Sequence, residues 1–211
     1  MAAVTPLHAL SAGSWCRAEL SGRLTEISGR GCVSPLSAAA VLLLEAQAAG
    51  EPCAWLTRSE STFFPPDLVR FGIDLQALPV VFVPSAQAAA RAAARLLRSG
   101  AFGLLVLDLG EGAQISIALQ GRLTGLALKN DAAVVLLTQK SLSAPSVGSM
   151  VSLRAEPRRT QLEAPATGGA RMRGALETEA LYRVSLTVLK DKRRGPGWLH
   201  EEVMLGPDGL R

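Results

Sequence analysis

A chain of 211 residues with 48% apolar content can bury a full core as a single domain, with room for a small appended extension. Charged residues make up 19% and aromatic residues 4%, which excludes a solvated, disordered polymer and argues against stacking platforms for single-stranded bases. The formal charge of +4 permits contact with nucleic acid or an acidic partner without requiring either.

In chain order, residues 1–20 contain no basic start followed by a continuous apolar stretch, and no apolar run reaches the length of a membrane span, so a cytoplasmic location is expected. GRLTEIS (22–28) reads as a strand, PLSAAAVLLLEAQAAG (35–50) as a helix ending at Gly50, and CAWLT (53–57) as a second strand. VVFV (80–83) is a third strand, SAQAAARAAARLLRSG (85–100) a helix stopped by Gly100, and FGLLVLDL (102–109) a fourth strand. A helix around 114–129 leads to AAVVLLT (132–138). Short, uniformly apolar strands separated by helices predict an α/β fold with a mostly parallel sheet covered on both faces.

The pattern then changes. GSMVSLRAEPRRT and LYRVSLTVLKD alternate apolar and polar residues, as antiparallel strands with one wet face do, and EEVML can pair as a last edge strand. The segment between them carries Gly-Gly and Pro without a clear period, which predicts a mobile loop over 161–180. The expected organisation is a single domain over 1–211, with an N-terminal segment to residue 20, an α/β core over 21–140 and an antiparallel extension over 141–211. Cys16, Cys32 and Cys53 lack C-x-x-C spacing, and His8 and His200 lie far apart, so reduced, core-filling thiols are expected and a metal site is not.

The stretch TEISGRGCVSPLSAA (25–39) stands where a phosphate-binding loop G-x-x-x-x-G-K-[ST] would leave a strand and open a helix. Gly29 takes the first glycine position, but Ser34 stands at the second, Pro35 at the lysine and Leu36 at the hydroxyl. Proline has neither N–H nor charge and leucine cannot ligate a cation, so the two strongest contributions to triphosphate binding are missing together. No catalysis and no cofactor are expected. What remains is a helix start, with Ser34 as a good N-cap and Pro35 at the first helical position. Asp108, at the end of FGLLVLDL, stands where such ATPases keep an Asp for the magnesium shell; with no lysine or hydroxyl opposite, it is expected to cap the following turn or helix.

With EAQAAGEPCAWL, FGIDLQAL, LLRSGAFGLLVLDL, VVLLTQK, VSLRAEPRRT and YRVSLTVLKDKRRGPG following in order, the chain resembles the ATPase core of the RecA recombinases over roughly residues 20–207. Within that superfamily SGAFGLLVLDL and KDKRRGPG are most similar to the ImuA group, RecA-like accessory proteins of damage-induced (SOS) mutagenesis. The resemblance implies work with ImuB, a Y-family-related polymerase homologue, and with an error-prone replicative-type polymerase in translesion synthesis, and RecA is the further expected partner. It therefore implies a non-catalytic adaptor with no membrane partner. SulA-type cell-division inhibitors, which bind FtsZ, share the frame and stand as the alternative. A residual DNA-dependent ATPase is a second alternative, if ATP binds without a loop lysine.

Matched residue by residue, Lys190 and Lys192 stand at the K-x-K pair with which RecA subunits reach ATP held by a neighbouring subunit; KDKRRGPG also reads as a solvated basic hairpin turn. The family's catalytic glutamate falls at Ser59 counted from CAWLT, or at Glu60 counted back from FGIDL. Gln139 matches the family's nucleotide-sensing glutamine and equally reads as a solvated strand end. The interval from Asp108 to Gln139 is too short for the first DNA-binding loop of RecA, and KSLSAPSVGS is a poor stand-in for the second. A RecA-type filament on DNA is therefore not expected, and direct DNA contact would be weak.

Three further features bear on partners. Arg91, Arg95 and Arg98 share one side of a helix, as a solvated face or a DNA track. Arg158, Arg159, Arg171, Arg173, Arg193 and Arg194 are candidates for contact with phosphate or an acidic partner. Phe63 and Phe64, before two prolines, either close the sheet edge or form an exposed apolar patch suited to a protein partner.

Overall fold

The computed structural model describes residues 15–29, 34–61, 63–162 and 180–206. A single turn, α1 (Arg17–Leu20), precedes β1 (Leu24–Ser28), α2 (Ser34–Ala48) and β2 (Cys53–Arg58). Two 3-10 helices, Pro65–Phe71 and Leu75–Ala77, lead to β3 (Val80–Val83), α3 (Ala86–Arg98), β4 (Leu104–Glu111), α4 (Ile117–Lys129) and β5 (Ala133–Gln139). The chain continues through β6 (Leu153–Leu162), β7 (Ala180–Asp191) and β8 (Leu199–Gly206).

All eight strands form one mixed sheet in the order β3-β2-β4-β5-β1-β6-β7-β8. From β3 to β6 along this row every pair is parallel, while β7 and β8 are antiparallel to their neighbours. The expected α/β class, with a mostly parallel sheet flanked by helices, is what the chain adopts.

The connections dictate which helix covers which face. From β1 the chain moves along the sheet toward β2, and from β3 through β4 to β5 it moves back; right-handed crossovers in opposite directions put the helices on opposite faces. Accordingly Ile27, Trp55, Leu104, Val106, Val135 and Leu137 pack with α2 residues such as Leu42 and Leu43. The alternate residues Leu24, Leu56, Leu105, Leu107, Val134 and Leu136 pack with Ala90, Ala93 and Leu97 of α3 and Leu123 of α4. This is why the central strands read as unbroken apolar runs: both of their faces are dry.

Helix starts are set by serines. Ser85 accepts from the Ala88 N–H at 3.2 Å and Ser116 from the Leu119 N–H at 3.4 Å, each satisfying an otherwise orphaned donor. Chain reversals after α2 and α3 use Gly50 (φ 74°) and Gly100 (φ 72°), in the left-handed region where only glycine is unstrained.

In the extension, Leu153, Ala155, Val184, Leu186 and Val188 join the apolar cluster beneath α2, while Arg158, Thr160, Arg183 and Thr187 are exposed. Several sequence boundaries shift. The approach to β6 is not strand until Leu153, α4 starts at Ile117, and β8 is longer than EEVML. Gln161 and Leu162 extend β6 and Ala180 opens β7, so the ends of the expected loop are strand; the rest of it lies outside the described residues, as do residues 1–14. Among the described residues no helix is long and apolar enough to cross a membrane.

Candidate functional site

β5 is wedged between β1 and β4, and the chain leaves β1 and β5 in opposite directions along the sheet. Such a switch point opens a crevice at the carboxyl ends of the strands, where ligands of α/β sheets sit. Gly29, Ser34, Pro35, Leu36 and Asp108 all belong to this corner, and residues 30–33 lie outside the described set. The Gly29 N–H is committed to the Thr138 carbonyl at 3.1 Å, so it stitches β1 to β5 instead of facing a ligand. α2 begins at Ser34 with Pro35 second, one residue earlier than the capping pattern suggests. Ser34 and Pro35 are buried, and half-buried Leu36 packs against the apolar cluster.

Asp108 does not cap the turn or helix after its own strand, as its position suggested. β4 runs on to Glu111 with a register shift between Asp108 and Gly110, and α4 takes its cap from Ser116. Instead, Oδ2 of Asp108 accepts the Thr57 hydroxyl at 3.0 Å and the Ser61 hydroxyl, both from the end of β2 and the turn beyond it. Ser61 Oγ in turn accepts the Phe63 N–H at 3.1 Å, and the Phe63 ring stacks on Trp55 at 4.1 Å between centroids and 8° between planes. The strand-end carboxylate thus fixes a turn through neutral donors. Ser59 is exposed, Glu60 pairs with Arg58 at 3.4 Å, and Gln139 ends β5 in solvent. The phenylalanine pair divides: Phe63 belongs to the core margin and Phe64 is 59% exposed. Among the described residues no three His, Cys, Asp or Glu side chains gather as a metal site. Cys16 and Cys53 are not joined in a disulfide, and the Cys53 thiol is pushed up to about 12, chiefly by burial, with Glu51 adding and Arg17 opposing.

A second polar cluster, which the sequence did not disclose, lies across β5, β1, β6 and β7. Glu26 is fully buried in β1; its Oε1 accepts Thr138 Oγ1 at 2.8 Å and pairs with Lys140 Nζ at 2.6 Å, and Oε2 accepts the Val147 N–H at 2.9 Å. Beside it, buried Arg154 donates to Ser28 Oγ at 2.8 Å, to the Ser141 carbonyl at 2.9 Å and to the Ala144 carbonyl. The loop KSLSAPSVGS is therefore tied to the sheet by one buried acid and one buried guanidinium. Strand register sets Glu26 beside Arg154 and Arg154 beside Lys190.

Lys190 is half-buried, and its ammonium makes no hydrogen bond or ion pair among the described residues. Burial pushes its ammonium below the ordinary lysine value, Lys192 adds to this, Glu26 pulls the other way and Arg154 pushes further down. Lys192 is exposed and donates to the Ser149 carbonyl at 2.7 Å. Between them Asp191 turns to the opposite face. There it pairs with buried Arg23 and accepts the Trp198 indole N–H at 3.2 Å, while Arg23 also donates to Ser152 Oγ at 3.0 Å. Burial alone would raise the Asp191 carboxyl, but the Arg193 backbone N–H, the Arg23 guanidinium and Trp198 hold it below the usual carboxylate range.

The basic turn is fastened to the N-terminal side of the core. Arg193 donates to the carbonyls of Glu19 at 3.4 Å and Ser21 at 3.3 Å, and Arg194 pairs with Glu19 at 2.9 Å. Arg159 lies over the Tyr182 ring at 4.3 Å and Arg158 is exposed; Arg171 and Arg173 fall outside the described residues. Compared with known proteins, the chain matches no protein-family model, and no curated protein matches it.

Proposed function

We propose that this protein is a non-catalytic adaptor on a RecA-like frame, of the ImuA kind, which engages RecA and an ImuB-like polymerase homologue during mutagenic DNA synthesis. The observation that carries the reading is the corner at β1, β4 and β5. Its strand-to-helix turn and its strand-end Asp108 stand where a phosphate loop and a magnesium-holding acid belong. Yet Pro35 and Leu36 replace the lysine and hydroxyl, the Gly29 N–H is spent on β5, and Asp108 is spent on Thr57 and Ser61. A frame that keeps its shape without its ligand chemistry supports binding work over catalysis.

Lys190 and Lys192 support a way of meeting RecA. Lys190 sits opposite Arg154 near the end of β7 while Asp191 is anchored on the other face, Lys192 follows in the exposed turn, and the Lys190 ammonium lacks an ion-pair partner among the described residues. A subunit that presents such a pair but has no phosphate loop of its own would dock on one end of an ATP-loaded RecA filament and stop it there.

Two measurements test this. Calorimetric titration with ATP is expected to give no binding heat; a saturable heat would favour a residual ATPase. Biolayer interferometry against ATP-loaded RecA filaments, ImuB and FtsZ, at two salt concentrations, is expected to give binding to RecA and ImuB only. Lys190→Ala with Lys192→Ala should weaken the RecA interaction roughly tenfold. Unchanged RecA affinity would remove the filament-end mechanism, and binding confined to FtsZ would make the protein a division inhibitor.

A further inference from the structure

α3 and α4 lie side by side and parallel on one face of the sheet. Gln87, near the start of α3, exchanges hydrogen bonds with Ser116, the N-cap of α4, at 3.4 and 3.2 Å. At the other end Asn130 donates to the Leu97 carbonyl at 2.6 Å. The inner sides bury Ala89, Ala90, Ala93 and Leu97 of α3 and Leu123 and Ala127 of α4.

The charged residues on the outer sides are all basic. Arg91, Arg95, Arg98, Arg122 and Lys129 are all exposed, and neither helix contains an acidic residue. None of these five cations forms an ion pair among the described residues. The acids that flank α4 in the chain do not compensate: Glu111 is exposed beyond its start, and Asp131 just past its end is taken by Arg17 and Ser21. Like charges one turn apart repel, so this arrangement gains nothing from within the chain.

α4 adds an apolar shoulder to the basic field. Ile117 and Leu128 are each 69% exposed, more than any other large apolar side chain among the described residues. Between them Gly121 and Gly125 have open space where a side chain would stand. Helical spacing sets residues 117, 121 and 128 along one line, with Gly125 beside it and Arg122 and Lys129 roughly 100° further round the exposed side. Glycine weakens an exposed helix interior relative to alanine, and the fold has room for alanine at both positions.

We propose that the α3–α4 face docks an acidic amphipathic helix of a partner protein. The partner's apolar side would cover Ile117 and Leu128 across the trough left by Gly121 and Gly125, and its carboxylates would meet Arg122, Lys129 and the arginines of α3. A nucleic acid backbone would use the cations but leave the apolar shoulder wet, and neither helix carries an aromatic ring on which bases could stack. A second copy would bring the same five positive charges. This inference does not rest on the RecA-like reading, since none of its residues belongs to the Asp108 corner or to the Lys190 row.

The test is fluorescence anisotropy on the full chain with three labelled probes: a synthetic amphipathic helix with leucines along one side and glutamates along the other, the same peptide with lysines for glutamates, and oligo-dT. The acidic peptide is expected to bind at least roughly tenfold more tightly than either control. Gly121→Gln with Gly125→Gln should raise the thermal midpoint, because glutamine is the better helix former, and yet weaken the acidic peptide by roughly tenfold or more. Arg95→Glu with Arg122→Glu should abolish the preference for acid. Equal affinity for the two peptides, tighter binding of oligo-dT, or acidic-peptide affinity indifferent to the glutamine pair would each overturn the proposal.

Discussion

Asp108 and Asp191 are both acids at or near strand ends with little exposure, and they are held in opposite ways. Asp108 is met by the hydroxyls of Thr57 and Ser61, whereas Asp191 is met by the Arg23 guanidinium, the Trp198 indole and the Arg193 N–H. The first arrangement leaves a carboxylate held by neutral donors alone. The second is a full charge pair at the seam where the antiparallel extension meets the core. At the end of β4 neutral hydroxyls hold the acid, whereas at the seam buried charge specifies how the extension docks.

The largest expected effect follows from breaking the seam. Asp191→Asn strands the Arg23 guanidinium in the interior and should cost about 3–5 kcal/mol in urea unfolding, while Arg23→Met combined with Asp191→Leu should recover much of that loss. The pH dependence has a definite sign. Because the folded Asp191 carboxyl is held below its ordinary value near 3.9, its contribution is complete above that pH and is lost as pH falls below it through the folded value. Wild type should therefore lose stability in acid more steeply than Asp191→Asn.

An intermediate effect is expected at Glu26. Glu26→Gln removes the partner of Lys140 and should cost about 2–3 kcal/mol, with faster amide exchange at Val147 as the loop after β5 loosens. The smallest belongs to Asp108. Asn keeps an oxygen that accepts both hydroxyls, so Asp108→Asn should cost about 1 kcal/mol or less. A loss comparable to that of Asp191→Asn would mean that the corner holds charge after all, and the contrast between the two regions would collapse.

What could be read from the chain divides along similar lines. The strands were legible because their apolar runs are local, and α3 and α4 because a serine, an alanine-rich or leucine-rich stretch and a following turn lie within one short window. The helix start at Ser34 and Pro35 was legible because its capping pattern is contiguous. The 3-10 helix over Pro65–Phe71 was not, since it has no hydrophobic period to detect. Nor were the Glu26 and Arg23 pairings. Each reads as a lone charge in or beside an apolar strand, and its partners lie 112 and 168 residues away in sequence, at Thr138 and Asp191. Phe63 and Phe64 were indistinguishable as letters, and only the Trp55 ring beneath one of them separates their roles.

The wedging of β5 between β1 and β4 has a consequence for how the chain is made. β1 ends at Ser28, but the strands that pair with it begin at Ala133 and Leu153. At roughly 5–20 residues per second on the ribosome, β1 and the apolar α2 behind it wait roughly 5–20 s for their neighbours to be synthesised. During that interval β2, β3 and β4 can assemble with α3 as a partial sheet whose inner edge is the vacant seat of β5. The nascent chain therefore carries two exposed apolar pieces that only a later strand can join, and its yield in the cell should depend on chaperones that shield them while translation continues.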